Sequence, residues 1–260
     1  MQLSSSNTLT RRQALKIAGA ALISAAATGN VATAQTHNGK FKAIGFDAFT
    51  IFDSRSMLAV YEENFPGKGK EIFKAWFVRL LEYTWLRTLN RTYVDLQRVS
   101  EDSLAFVFKS ANMALQDDIR EKLLNAFFQL KPFPDTVAAL KTMRKAGIRL
   151  AYVSDLTPKM LKVNTENAGA LELFEHFLST DNVRAFKPDP RAYEMAETSF
   201  KLPREAIVFA ATGGWDAAGA KSFGLSTFWV NHFNEPVEEL GVKPDAIGST
   251  LTDLAKYVTT

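Results

Sequence analysis

Apolar residues change their spacing along this chain, and the changes mark out its architecture. Phe41 to Phe46 form a short apolar stretch that reads as a buried strand, and it ends at Asp47. From Ser54 to about Leu130 no strand pattern appears. Apolar residues there recur every three or four positions, as at Ile72, Phe73, Trp76, Phe77, Leu80, Leu81 and Trp85, which is the spacing of an amphipathic helix. Val99 to Phe108 and Ile119 to Leu130 repeat that style. From Lys131 the pattern becomes alternating. Phe133-Pro134-Asp135 opens a helix to about Lys145, closed by Gly147, and Ile148 to Val153 is a strand ending in Ser154-Asp155. A helix from about Pro158 to Ala168, a segment reaching Lys187-Pro188, and a helix from Arg191 to Phe200 follow. Ala206 to Ala211 is a strand, Ala217 to Ser222 a helix, and Ser226 to Val230 a strand.

Strands separated by helices of this length predict an α/β fold: a doubly wound parallel sheet, Rossmann-like, with helices on both faces. The helical stretch predicts a cap subdomain over residues 54–130, inserted into a core of residues 41–53 and 131–260.

In a parallel sheet the carboxyl ends of the strands share one edge, where open α/β sheets place their ligands. Four polar residues stand at such ends or in the loops leading from them: Asp47, Ser154, Lys187 and Asp216. A carboxylate, a hydroxyl, an ammonium and a second carboxylate form a workable set for covalent catalysis. Taken singly each has a structural explanation, Ser154 as a helix cap and Lys187 as a surface residue. Their convergence on one edge favours a catalytic site. There is no cysteine, so thiolate metal sites, disulfides and a cysteine nucleophile are excluded. The three histidines, His37, His176 and His232, are not at metal-ligand spacing, and no metal or cofactor is expected.

The amino terminus reads as a targeting segment. Arg11-Arg12 and Lys16 precede the weakly apolar stretch Ile17 to Ala27 and then Val31-Ala32-Thr33-Ala34, a positive region, a short apolar region and an Ala-x-Ala cleavage signal. The paired arginines resemble a twin-arginine export signal, so residues 1–34 are expected to be removed and the mature protein to be soluble and periplasmic, without stable membrane insertion. Cleavage also resets the charge. The segment carries three of the 31 basic residues and no acid, leaving 28 basic against 28 acidic, and the case for nucleic-acid binding goes with it.

Longer motifs carry a resemblance. They are Phe46-Asp47-Ala48-Phe49 with Asp53, Phe65-Pro66-Gly67-Lys68-Gly69, Leu81-Glu82-Tyr83-Thr84-Trp85-Leu86-Arg87, Leu178-Ser179-Thr180-Asp181, Lys187-Pro188-Asp189-Pro190-Arg191-Ala192-Tyr193 and Trp215-Asp216-Ala217-Ala218-Gly219-Ala220. With these the chain resembles the haloacid dehalogenase superfamily, most closely its type II L-2-haloacid dehalogenase branch, from Lys42 to about Leu254. The resemblance implies hydrolytic dehalogenation of short 2-haloalkanoic acids to 2-hydroxy acids, with Asp47 as nucleophile and Asp216 activating water. It implies that Lys187 holds the nucleophile ionised, that Ser154 contacts the substrate carboxylate, and that Phe49, Thr50, Phe77, Asp155, Tyr193 and Trp215 surround the substrate. A homodimer formed through the cap helices is also implied.

Phosphatases of the superfamily carry a second aspartate two positions after the nucleophile. Here that position is Phe49, which cannot protonate a leaving alkoxide, whereas halide needs no proton. The chain departs from the dehalogenase pattern at other points. The nucleophile loop is one residue shorter and lacks its glycine. Phe77 stands where the cap-helix arginine is expected, Ala211 and Gly213 replace a serine and an asparagine, and Asp155 replaces an asparagine. Arg79 is turned roughly 200° away on the helix, which leaves Arg55 and Arg87 as candidates to replace the missing arginine. A descendant that binds a small acid or a partner in the same pocket without turnover, or one with an altered substrate, is the alternative reading.

Overall fold

A computed structural model describes residues 39–260 of the chain. The expected export signal, residues 1–34, lies outside the described residues. Six strands form one parallel sheet: β1 (Ala43–Phe46), β2 (Arg149–Ser154), β3 (His176–Ser179), β4 (Ile207–Ala211), β5 (Ser226–Val230) and β6 (Ala246–Gly248). Their order across the sheet is β3-β2-β1-β4-β5-β6, so the chain winds outward from β1 in both directions. This is the doubly wound topology that opens a crevice at the carboxyl ends of its central strands.

Alternation along the strands builds the two faces. Ile44 and Phe46, Leu150 and Tyr152, and Val208 and Ala210 pack with α5 (Thr136–Lys145), α6 (Pro158–Asn167) and α9 (Leu251–Thr259) through Leu140, Met143, Met160, Leu161, Leu251 and Leu254. Ala43, Ala151, Val153, Phe209 and Ala211 face the other way, against Tyr193, Ala196 and Phe200 of α7 (Pro190–Phe200) and Ala217 and Ala220 of α8 (Gly214–Phe223). These side-chain sets follow from the period of two in a strand and of 3.6 in a helix.

Residues 58–125 hold the helices α1 (Leu58–Asn64), α2 (Gly69–Leu89), α3 (Leu96–Ser110) and α4 (Asp117–Asn125). Two-residue strands at Phe52–Asp53 and Lys131–Pro132 pair antiparallel where the chain leaves and re-enters the sheet domain. In α2 the buried stripe is Ile72, Trp76, Leu80 and Thr84. Trp76 is fully buried, stacks on Tyr61 at 5.4 Å, meets Phe127 edge-on at 5.6 Å and donates its indole N–H to the Ser100 carbonyl oxygen at 3.3 Å. The other α2 aromatics, Phe73, Phe77, Tyr83 and Trp85, are half-buried. The exposed large apolar residues of α2 are the aliphatic Val78, Leu86 and Leu89.

The fold differs from the sequence expectation in three places. β3 was not foreseen, because its four residues, His176-Phe177-Leu178-Ser179, are short and half-buried and show neither an alternating nor a continuous apolar pattern. β6 and α9 close the sheet beyond the last expected strand. Finally, α8 begins at Gly214, so Trp215 and Asp216 lie in its first turn rather than in a loop. Among the described residues no helix is long and apolar enough to cross a membrane.

Candidate active site

Asp47 follows the last residue of β1, and its backbone N–H donates to the Ala210 carbonyl of the neighbouring β4 at 2.9 Å. The next four residues form a single helical turn, Ala48–Ile51, which Asp47 caps: its Oδ2 accepts the Phe49 N–H at 3.0 Å. The carboxylate is thus fixed by sheet and turn together, with its other oxygen facing Lys187. Lys187 lies between β3 and α7, just before a cis peptide bond to Pro188. Its ammonium is about 1 % exposed and donates to Asp47 Oδ1 at 2.7 Å and to Asp216 Oδ2 at 2.7 Å.

Asp216 sits in the first turn of α8, where a negative charge suits the helix dipole. Its second oxygen, Oδ1, accepts the Tyr193 hydroxyl proton at 2.7 Å. Gly219 is what allows α8 to approach so closely: a Cβ there would come within 2.5 Å of the Tyr193 hydroxyl oxygen and 2.6 Å of Pro188 Cβ. The result is a buried chain of Asp47, Lys187, Asp216 and Tyr193 in which each side-chain oxygen of the two aspartates has a donor. A buried charge persists only when paired and hydrogen-bonded, and here one cation serves two anions.

Burial alone would depress the Lys187 pKa, but Asp216, Asp47 and Asp155 outweigh it and hold the ammonium protonated well above the usual lysine range. Burial pushes Asp216 above the ordinary carboxylate range, with Lys187 opposing the shift and Asp47 adding to it. Burial and the neighbouring Asp216 likewise raise Tyr193, so it acts as a donor.

These groups stand at one end of a cavity of about 660 Å³. From α2 it is lined by Phe77, Leu80, Leu81 and Thr84, one face of that helix, and Phe49 meets Phe77 edge-on at 6.1 Å. Trp215 lines it too and packs against Trp85 at 5.6 Å. A side chain at position 213 would collide with the Trp215 indole nitrogen, at 2.8 Å from a Cβ, so glycine there makes room for the tryptophan. Among the described residues no group of three or more His, Asp or Glu side chains is placed to hold a metal ion. Lys187 supplies the positive charge between the two aspartates.

The model of the haloacid dehalogenase-like hydrolase family matches residues 41–224, most of the chain, from β1 to the end of α8. The chain belongs to the haloacid dehalogenase-like hydrolases. It is 39% identical over 205 residues to an (S)-2-haloacid dehalogenase of Pseudomonas sp. (strain YL), covering 78% of this chain and 88% of that protein. To the haloacetate dehalogenase H-2 of Moraxella sp. (strain B) it is 36% identical, over 79% of this chain and 92% of the relative. Its fold is similar to the L-2-haloacid dehalogenase from Xanthobacter autotrophicus with chloropropionic acid covalently bound, with a TM-score of 0.79, 28% identity and coverage of 84% of this chain and 98% of that one.

Within this hydrolase the expected site residues divide. Asp47, Phe49, Phe77, Ser154, Asp155, Lys187, Trp215 and Asp216 all line the cavity. Thr50 and Tyr193 do not, and both correct the expectation that they surround the substrate. Thr50 is fully buried and donates its hydroxyl proton to the Ala210 carbonyl at 3.0 Å, bracing the shortened loop against β4. Tyr193 stands behind Asp216, away from the cavity.

The candidate replacement arginines are occupied elsewhere. Arg55 is paired with Asp53 at 2.6 Å and lies over the Phe233 ring at 4.7 Å, and Arg87 is paired with Asp102 at 2.5 Å. Arg79 faces away as its helical angle requires, bound to Glu82 at 2.9 Å and lying over Phe106 at 4.1 Å. Among the described residues no arginine lines the cavity. Sequence reasoning missed the far wall, Phe233 to Glu239, an irregular segment after β5 with no periodicity to find it by.

Asp155 takes the Lys187 backbone N–H at 3.1 Å. Burial pushes its carboxyl up to about 7, with Lys187 opposing and Asp216 and Asp47 adding to the shift. As pH rises from 3.8 towards about 7 the folded protein keeps a proton that the unfolded chain has already released, so this group removes stability as pH rises through that window. Asp155→Asn is therefore expected to stabilise the protein more near about pH 8 than near about pH 5, by on the order of 2 kcal/mol. Calorimetric unfolding of both proteins at the two pH values measures it, and an equal gain at both would refute it.

Proposed function

We propose that this hydrolase removes halide from short 2-haloalkanoic acids through an ester on Asp47. The observation that carries the reading is the Lys187 ammonium at 2.7 Å from both Asp47 and Asp216, at the end of an otherwise largely apolar cavity. The ammonium holds one Asp47 oxygen in place and the Phe49 N–H the other, which orients the carboxylate as a nucleophile. A carboxylate oxygen of Asp47 attacks C2, the carbon–halogen bond breaks, and halide leaves with the bonding electrons. No general acid is required for that step, which suits Phe49 and Trp215 as cavity walls. Asp216, raised in basicity by burial, then takes a proton from water as the oxygen adds to the ester carbonyl. The bond between the Asp47 carboxyl carbon and the oxygen on C2 breaks, that oxygen takes the proton from Asp216 to give the 2-hydroxy acid, and the Asp47 carboxyl loses the remaining water proton to solvent.

Halide release from (S)-2-chloropropionate in the presence of EDTA tests this. The wild type is expected to release halide well above the Asp47→Asn background. Release no faster than that background, or activity that requires magnesium and a phosphate ester, would overturn the proposal.

Arg11-Arg12, the stretch Ile17 to Ala27 and Val31-Ala32-Thr33-Ala34 support export through the twin-arginine route to the periplasm. Protein recovered from the periplasm of an expressing bacterium is expected to begin at Gln35, and replacing Arg11 and Arg12 by lysine to keep the chain in the cytoplasm. Full-length protein confined to the cytoplasm in both cases would refute export.

A further inference from the structure

A carboxylate substrate meets an unusual charge lining in this cavity. Among the described residues its one cation is Lys187, two of whose three protons are already given to Asp47 and Asp216. Against it stand six carboxyl groups: Asp47, Asp155 and Asp216 inside, and Glu235, Glu238 and Glu239 on the exposed far wall. The far-wall groups are open to water and screened by salt. Asp155, partly buried and beside the sheet edge, is the one that a substrate head group meets with little screening.

The neighbouring pair Ser154 and Asp155 shows which head group fits. Ser154 accepts the Leu156 N–H at 3.1 Å, so its own proton is available to an acceptor in the cavity. Asp155 has one oxygen on the Lys187 N–H and presents the other as an acceptor. A carboxylate offers acceptors only, so above about pH 7, where Asp155 is ionised, it satisfies Ser154 and opposes Asp155. A primary amide offers one carbonyl acceptor for Ser154 and N–H donors for Asp155. It also keeps the carbonyl next to C2 that assists displacement there.

We propose that this enzyme takes uncharged 2-haloamides in preference to 2-haloacids, with Asp155 as the residue that sets the preference. The inference rests on Asp47 acting as the nucleophile. The chemistry is unchanged and balanced: 2-haloamide and water give 2-hydroxyamide, halide and one proton, with no co-reactant. A site built to accept an N–H discriminates strongly against an analogue that lacks it.

The test compares halide release from (S)-2-chloropropionamide and (S)-2-chloropropionate by wild type, Asp155→Asn and Asp47→Asn at about pH 8.5, where Asp155 is ionised. There is no cysteine for the amide to alkylate, so the Asp47→Asn protein gives the true background. The wild type is expected to favour the amide by at least about tenfold in kcat/KM. Asp155→Asn retains an acceptor for the Lys187 N–H and adds a donor for the substrate, and is expected to reduce that ratio by about tenfold, chiefly by lowering KM for the acid. Preference for the acid by the wild type, or an unchanged ratio in Asp155→Asn, would overturn the inference while leaving the Asp47 mechanism intact. No halide from either substrate overturns both.

Discussion

Replacing Asp47 by asparagine is expected to lower halide release by at least about 10⁴-fold, and replacing Asp216 by asparagine to stop the reaction one step later, with the ester still on the protein. The difference comes from what each carboxylate faces. Asp47 holds one donor on each oxygen, Lys187 and the Phe49 N–H, so the carboxylate is oriented before substrate arrives. Asparagine at 47 keeps a similar shape but has no nucleophilic oxygen of comparable strength. In the proposed mechanism Asp216 has no part in expelling halide and accepts the proton of the hydrolytic water. Asparagine at 216 cannot take that proton, although it still accepts the Tyr193 hydroxyl. After mixing with a 2-halo substrate, mass spectrometry should find the Asp216→Asn protein heavier by the substrate less hydrogen halide, with the adduct on the peptide bearing Asp47. An unmodified Asp216→Asn protein that has also released no halide would place Asp216 in the first step and refute the assignment.

Lys187→Met is expected to cost about 3–5 kcal/mol of folding stability at neutral pH, the usual penalty for removing one partner of a buried ion pair. Asp47 and Asp216 would be left facing each other, nearly buried, with no cation between them. Both would then have raised pKa values in the folded state. Groups so raised lose stability as pH climbs and recover it as pH falls and they protonate, so most of the loss should vanish near about pH 4.5. Urea unfolding at neutral and acid pH measures this, and an equal loss at both would show that Lys187 matters for packing rather than charge. Introducing Asp47→Asn and Asp216→Asn beside Lys187→Met should also remove most of the penalty, since no uncompensated charge remains.

Much of this site was readable in the sequence because topology constrains it. Once Phe41–Phe46, Ile148–Val153 and Ala206–Ala211 are strands of one parallel sheet, Asp47, Ser154 and the residues after Ala211 must lie along one edge, whatever their separation in the chain. The direction of Arg79 was readable as well, being fixed by its helical angle from Phe77. Thr50 was not. Its surroundings depend on a nucleophile loop one residue shorter than the family pattern, and the hydroxyl turned to the Ala210 carbonyl instead. The partners of Arg55 and Arg87 were also hidden, since each pairs with an acid whose nearness depends on loop or helix packing. Glu235, Glu238 and Glu239 could not have been placed, because they lie on an irregular segment whose course is set by packing and by no local period.

In the proposed mechanism Lys187 also times the reaction. Before substrate arrives its charge is divided between two anions, and the second of them, Asp216, is held above the normal carboxylate range partly by Asp47. When Asp47 becomes an ester it is neutral, its repulsion of Asp216 disappears, and the ammonium serves Asp216 alone. The proton affinity of Asp216 then falls. Molecules that carried a proton there release it as the ester forms, so the base is ready when hydrolysis needs it. Alkylation of one aspartate thereby arms the other through charge alone.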